Sequence, residues 1–210
     1  MLHEAVYHAL AAGDLTEVEL LEYADRIKTS GGARGIGGLL ADLRDHPHLA
    51  EAARCIAAEQ AILLGDVARA TELTSGAPRT VGTLVGGRLA VAAGHARRIG
   101  GDTATALAIY TRAWEGATGR ARLEAGLWAA DLHMAQGRFG RARQIVAELQ
   151  GLLTERDAEL RGDLARLLHL ADRFCYDFEG ARRNLEEAAR HYAEAGSVFG
   201  YSLLFVVLLA

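Results

Sequence analysis

Apolar residues recur along this chain in blocks with helical spacing, each followed by a polar turn and a second block. Four stretches can be laid over one another: AILLGDVARATEL (61–73), ARRIGGDTATALAIYTRA (96–113), LHMAQGRFGRARQIVAEL (132–149) and FCYDFEGARRNLEEA (174–188). Each reads as the end of an apolar helix, a Gly-Asp-like turn and a second helix with alanine at a fixed place. Gly65, Gly101 and Gly137 hold the same turn position, 36 residues apart; the fourth turn puts Tyr176 there, followed by Asp177 and Phe178. Glycine relieves the backbone where a helix ends, and the aspartate beside it can cap the next one. Five residues after each turn mark stand Ala70, Ala106, Ala142 and Ala181. Only a small side chain lets two helices approach closely where they cross.

The rest of the chain is assigned around this period. Residues 1–29 read as a helix, a Gly13-Asp14 turn and a second helix, with Val18 where the small alanine belongs. SGGARGIGG (30–38) reads as an inter-helix loop, LLADLRD as a short helix stopped before Pro47, and HLAEAARCIAAEQAILL as the period resuming. No run sustains period-two alternation, so eleven or twelve helices and no strands are expected. The domain plan is a single helical-repeat domain over 1–210. Residues 1–49 form irregular N-terminal helices, 50–195 about four repeats, and 196–210 the first helix of a further, incomplete repeat.

Composition supports helices and narrows the partners. Half of the 210 residues are hydrophobic and only two are proline, which helix interiors exclude. A net charge of −4 argues against a general nucleic-acid binder. Lys28 is the only lysine, a pattern typical of GC-rich coding. The N-terminus lacks the basic region of a signal peptide, and the longest apolar run, Leu203–Ala210, is far short of the ~20 residues that span a bilayer. A cytoplasmic protein is expected. YSLLFVVLLA (201–210) is apolar all round, so Leu203, Leu204, Phe205, Val207 and Leu208 are expected to mediate self-association, most simply as a homodimer.

The period resembles the tetratricopeptide repeat, over roughly residues 50–195. The best match is 87–120: Gly94 takes the small mid-helix position, Gly101-Asp102 the turn, then Ala106, Tyr110 and Ala113. In the next unit Ala130, Gly137-Arg138-Phe139 and Ala142 match, while Val146 and Leu149 replace the aromatic and the last alanine. Around 51–78, Ala58, Gly65-Asp66, Ala70, Ala77 and Pro78 match. The fourth unit keeps Asp177-Phe178, Ala181 and Ala188 but has His169 at the small mid-helix position.

The resemblance implies an all-α fold, a right-handed superhelix (α-solenoid) of antiparallel helix pairs whose first helices line a concave wall. The positions so placed are Glu59, Arg88, His95, Arg98, Glu124, Trp128, Asp131, Arg166 and Arg173. Trp128 among charged neighbours suits either a binding anchor or packing between units. The lysines and asparagines with which some family members clamp a terminal carboxylate are missing, leaving an arginine clamp through Arg88, Arg98 and Arg166 as the substitute. The expected function is non-catalytic binding of a protein or peptide, without cofactor, metal, nucleic acid or membrane. The alternative is a sensory or regulatory segment of a larger signalling ATPase or bacterial-type transcription regulator.

Motifs for chemistry lack their context. Ser30 to Gly37 has the glycine spacing of the short-chain dehydrogenase nucleotide loop, but EYADRIKT before it reads as helix, not strand. His3 and His8 are five apart, off a common helix face for zinc. Asp45-His46-Pro47-His48 reads as a polar turn. His95, His133, His169 and His191 read as surface or half-buried helix residues. Cys55 and Cys175 read as buried small hydrophobes, and the carboxylates as solvated helix faces.

Overall fold

The turn glycines end their helices through one repeated arrangement. The computed structural model describes residues 2–76, 81–197 and Gly200. Among these it contains ten α-helices and no strand. They are α1 (Leu2–Ala12), α2 (Glu17–Asp42), α3 (Ala50–Leu63), α4 (Val67–Thr74), α5 (Leu84–Ile99), α6 (Thr103–Gly116), α7 (Gly119–Ala135), α8 (Phe139–Leu152), α9 (Ala158–Phe174) and α10 (Phe178–Ala195). Single 3₁₀ turns stand at Leu43–Asp45, Pro47–Leu49 and Glu155–Asp157. The chain forms two compact units, Met1–Ala121 and Arg122–Ala210. Leu203, Leu204, Phe205, Val207 and Leu208 lie outside the described residues, as do Ala77 and Pro78.

Gly65, Gly101 and Gly137 are all left-handed, with φ of 73°, 86° and 72°. At each, two N–H groups reach back to helix carbonyls that would otherwise be orphaned. Gly101 donates to Arg98 O at 3.1 Å and Asp102 to Arg97 O at 2.9 Å; the same pair recurs at Gly65-Asp66 and Gly137-Arg138. Gly13 follows the rule, and so does Tyr176, a non-glycine at φ 61°. The aspartates after the turns then cap the second helices: Asp66 accepts from the Arg69 N–H at 3.0 Å, Asp102 from Thr105 at 3.1 Å and Asp177 from Gly180 at 2.9 Å.

Alanine at the fixed place is buried in all four units, at Ala70, Ala106, Ala142 and Ala181. In unit 1 the crossing is tight: a Cβ on Gly94 would lie 2.3 Å from Cε1 of Tyr110, which is fully buried. His169 keeps its helix close by another route. Its Nδ1 lies 2.7 Å from the Ala181 carbonyl oxygen, so a hydrogen bond stands where a small residue was expected. His169 and His191 are buried, not surface residues; His191 faces Glu194 at 3.0 Å and Glu187 at 3.5 Å. Val18 is exposed, so it sits at no crossing.

The expected loop over 30–38 is not a loop. Helical hydrogen bonding runs through it, from the Thr16–Glu19 capping box to Asp42. Yet α2 is not straight. Eight residues of straight helix rise about 12 Å, whereas a Cβ on Gly35 would lie 2.6 Å from Cγ2 of Ile27. Tyr23 and Leu39 line one small cavity. The helix therefore bends sharply between Ile27 and Gly35, where the Ser-Gly-Gly stretch lies, a composition that accommodates kinks. The bend lets Leu20, Ala24 and Ile27 share a core with Ile36, Leu39 and Leu43, joined by Ile56 of α3 and Leu89 of α5. In unit 2, α9 and α10 enclose Ala165, Ala188 and Tyr192.

Candidate functional site

Two of the nine wall positions meet directly. Asp25 and Lys28 stand one helical turn apart on α2, Glu59 on α3 and Arg88 near the start of α5. Arg88 grips Asp25 with Nη1 to Oδ2 at 2.9 Å and Nη2 to Oδ1 at 2.8 Å. It also donates from Nε to Glu59 Oε1 at 2.9 Å and from Nη2 to Oε2 at 2.8 Å. Lys28 Nζ completes the cluster at 2.6 Å from both Asp25 and Glu59. Two cations and two carboxylates make it neutral. Planar Arg suits such paired recognition, because its fork matches two carboxylates at once.

The cluster holds its own charges. Burial pushes the Glu59 carboxyl up, but Lys28 and Arg88 outweigh it and leave the group below the ordinary carboxylate range. Asp25 is likewise held low by Arg88 and Lys28 against burial. For Lys28, burial is overcome by Glu59 and Asp25, so its ammonium is held more firmly than usual. Cys55 lies beside them, with Sγ 3.6 Å from Glu59 Oε1. Burial first, and the Glu59 charge second, push its thiol up, a setting opposite to that of reactive cysteines. Glu59 is not on a solvated face, as the sequence suggested, because it is enclosed between helices, whereas Asp25 stays partly open to water.

His95 and Arg98 continue along α5. The Tyr110 hydroxyl lies 2.8 Å from His95 Nδ1. Burial, then Arg98, lowers the His95 pKa to about 4, so the imidazole is neutral at pH 7. On another side of unit 1, Leu40, Arg44, His46, Arg54 and Gln60 help line an open cavity of about 470 Å³. No predicted wall residue lies in it.

Unit 2 holds a second polar cluster. Tyr192 of α10 donates from Oη to Asp163 Oδ1 of α9 at 2.7 Å, and a Cβ on Gly162 would meet that ring at 2.6 Å. Burial raises the Asp163 pKa to about 6, against the opposing pull of Tyr192 and Arg166. Glu159 and Glu124 push in the same direction as burial, so Arg166 and Glu124 both act on this carboxyl. Trp128 and Asp131 are half-buried on α7, and Arg173 is exposed at the end of α9.

Sequence reasoning missed Asp25, Lys28, Asp163 and Tyr192. Lys28 carried a signal, as the only lysine in the chain. Cys175, expected in a core, is exposed beside Arg143, whose Nη2 is 3.2 Å from Sγ. No group of three or more His, Cys, Asp or Glu is placed to hold a metal ion among the described residues, and no helix there is long and apolar enough to cross a membrane.

A family model described as tetratricopeptide repeat matches residues 99–159, from the end of α5 to the start of α9. Comparisons with curated proteins and with solved structures give no match.

Proposed function

Because the chain is a tetratricopeptide-like helical repeat protein, we propose that it is a non-catalytic module that takes a protein or peptide partner on the faces of its first helices. In unit 1 that face carries Glu59, Arg88, His95 and Arg98. In unit 2 it carries Glu124, Trp128, Asp131, Arg166 and Arg173. The observation that carries this reading is the network tying α2, α3 and α5 together through Asp25, Lys28, Glu59 and Arg88. A polar cluster with its charges already paired preorganises a wall, and preorganisation lowers the ordering cost of binding. Arg88 serves the wall as a brace, since it holds two carboxylates of its own chain; Arg98 in unit 1 and Trp128 in unit 2 are the positions assigned to partner contact.

The test is capture of a partner from the native cell extract, its identification, and calorimetric titration of the purified pair. Arg98→Glu and Trp128→Ala should each weaken binding by at least about tenfold, whereas Arg112→Glu on the second helix α6 should leave it unchanged. Binding undiminished by the first two and lost with the third would overturn the assignment of the face. The apolar segment 201–210 is proposed as a homodimer contact. Light scattering should then show a dimer that Leu204→Glu with Leu208→Glu converts to monomer; a wild-type monomer at all concentrations refutes it.

A further inference from the structure

Five of the six helix ends closed in the repeated way, at Gly13, Gly65, Gly101, Gly137 and Gly196, place glycine at the left-handed residue; the α9–α10 turn places Tyr176 there. A side chain in that conformation is disfavoured, and burial commonly compensates such a choice. Here it does not, because Tyr176 is 81% exposed. Its neighbours are equally open: Phe174 is 65% and Phe178 66% exposed. Phe139, at the start of α8, extends the strip, its ring 6.0 Å from that of Phe174, and Tyr176 stacks edge-on to Phe178 at 6.4 Å. Four aromatic rings thus line one turn edge of unit 2 without entering its core. Exposed aromatic patches of this kind mark interaction sites.

The charges around the strip differ in how they are engaged. Its carboxylates are occupied within the unit: Asp172 by the Asn184 amide at 2.8 Å, Asp177 by the Gly180 N–H at 2.9 Å and Glu179 by Arg182 at 3.2 Å. Arg182 is paired with Glu179 and Glu186, but three other arginines there have no ion-paired acid among the described residues. Among the described residues Arg143 donates to the Cys175 sulfur and Arg138 to His133 and Gln136, and neither they nor Arg173 has a carboxylate within ion-pairing distance. The Arg143 and Arg173 guanidinium groups, beside an apolar strip, are complementary to an anionic, partly apolar ligand. Asp177 and Glu179 stand among the rings, so a continuous anionic bilayer would be repelled there, whereas a single polypeptide can place its acids beside the arginines alone.

We propose that this edge is a second docking surface, which shares only Arg173 with the first-helix face of unit 2 and binds an acidic polypeptide segment carrying large apolar side chains. Phe174, Tyr176 and Phe178 receive the apolar side chains, and Arg143 and Arg173 the carboxylates. Tyr176 occupies the left-handed position for contact with the partner rather than for folding.

The probe is a fluorescein-labelled dodecapeptide with four Asp or Glu and two Leu residues, compared by anisotropy with a peptide in which the acids are Ser. The acidic peptide should bind at least about tenfold more tightly, and its advantage should shrink with added salt. Tyr176→Gly should weaken binding by at least about tenfold while leaving Tm equal or higher, since glycine suits that backbone. Arg143→Glu with Arg173→Glu should abolish the preference for the acidic peptide. Equal binding of the two peptides, or binding that Tyr176→Gly and Phe174→Ser leave intact, overturns the proposal. So does binding of phosphatidylserine vesicles through these side chains without peptide binding, or dimerisation that Tyr176→Gly abolishes.

Discussion

Replacing Gly94 by Ala tests the tightest helix crossing in unit 1. The added Cβ would sit 2.3 Å from Tyr110 Cε1 and 2.7 Å from both Cδ1 and Cζ, where carbon atoms normally stand ~3.5–4.0 Å apart. The ring must retreat by more than an ångström. It has little freedom to do so, because Tyr110 is fully buried and its hydroxyl lies 2.8 Å from His95 Nδ1. Overpacking costs about 1–3 kcal/mol and a weakened hydrogen bond about 0.5–1.5 kcal/mol. Alanine's better helix propensity returns about 1 kcal/mol. The balance is a destabilisation of about 1–3 kcal/mol, or a Tm lower by roughly 3–12 °C for a domain of this size. Thermal melts followed by circular dichroism measure it. Combined with Tyr110→Leu, which removes the opposing ring, Gly94→Ala should become neutral or stabilising. A single Gly94→Ala variant that melts at or above the wild-type temperature refutes the reasoning, since the ring would then have room.

Three further outcomes follow from the same geometry. Arg88→Met should destabilise by about 2–4 kcal/mol in urea titration; that is less than breaking an isolated buried pair, because Lys28 stays and Asp25 is partly open to water. Asp163 has a folded-state pKa of about 6 against an ordinary 3.8, so the folded protein holds the extra proton and stability falls as pH rises through that window. Asp163→Asn keeps an acceptor for Tyr192 and should stabilise by up to about 3 kcal/mol above pH 7 and not at all below pH 4; an equal shift in Tm at both pH values speaks against it. Ala142→Leu, at a buried crossing position, should cost about 1–3 kcal/mol, and an unchanged melting midpoint means the repeat register is misassigned.

The repeat was legible because its signals are local. A left-handed glycine, an aspartate cap and a small residue five positions later lie within six residues of one another. The Gly-rich stretch of α2 misled for the opposite reason. Glycine costs about 1 kcal/mol in a helix relative to alanine, which favours a loop until burial of Ile36 and Leu39 outweighs it, and burial is a tertiary term. The ion cluster was harder still. Arg88 and Asp25 are separated by 63 residues, and Lys28 and Glu59 by 31. Nothing in the spacing of charges along one helix distinguishes a carboxylate facing water from one facing the next helix. Cys175 was misplaced because a cysteine near a helix end reads the same whether the following turn is covered or bare.

The bend in α2 has an evolutionary corollary. Ordinary connectors tolerate insertions, because a loop absorbs an extra residue without moving what it joins. A reversal made from continuous helix has no such slack: one added or deleted residue turns everything beyond it by about 100° and shifts it by about 1.5 Å. Ile36, Leu39 and Leu43 would rotate out of the core they share with Leu20 and Ile27. Across descendants of this chain, the stretch between Ile27 and Gly35 should therefore drift in composition while its length stays constant, the reverse of what its glycine-rich appearance suggests.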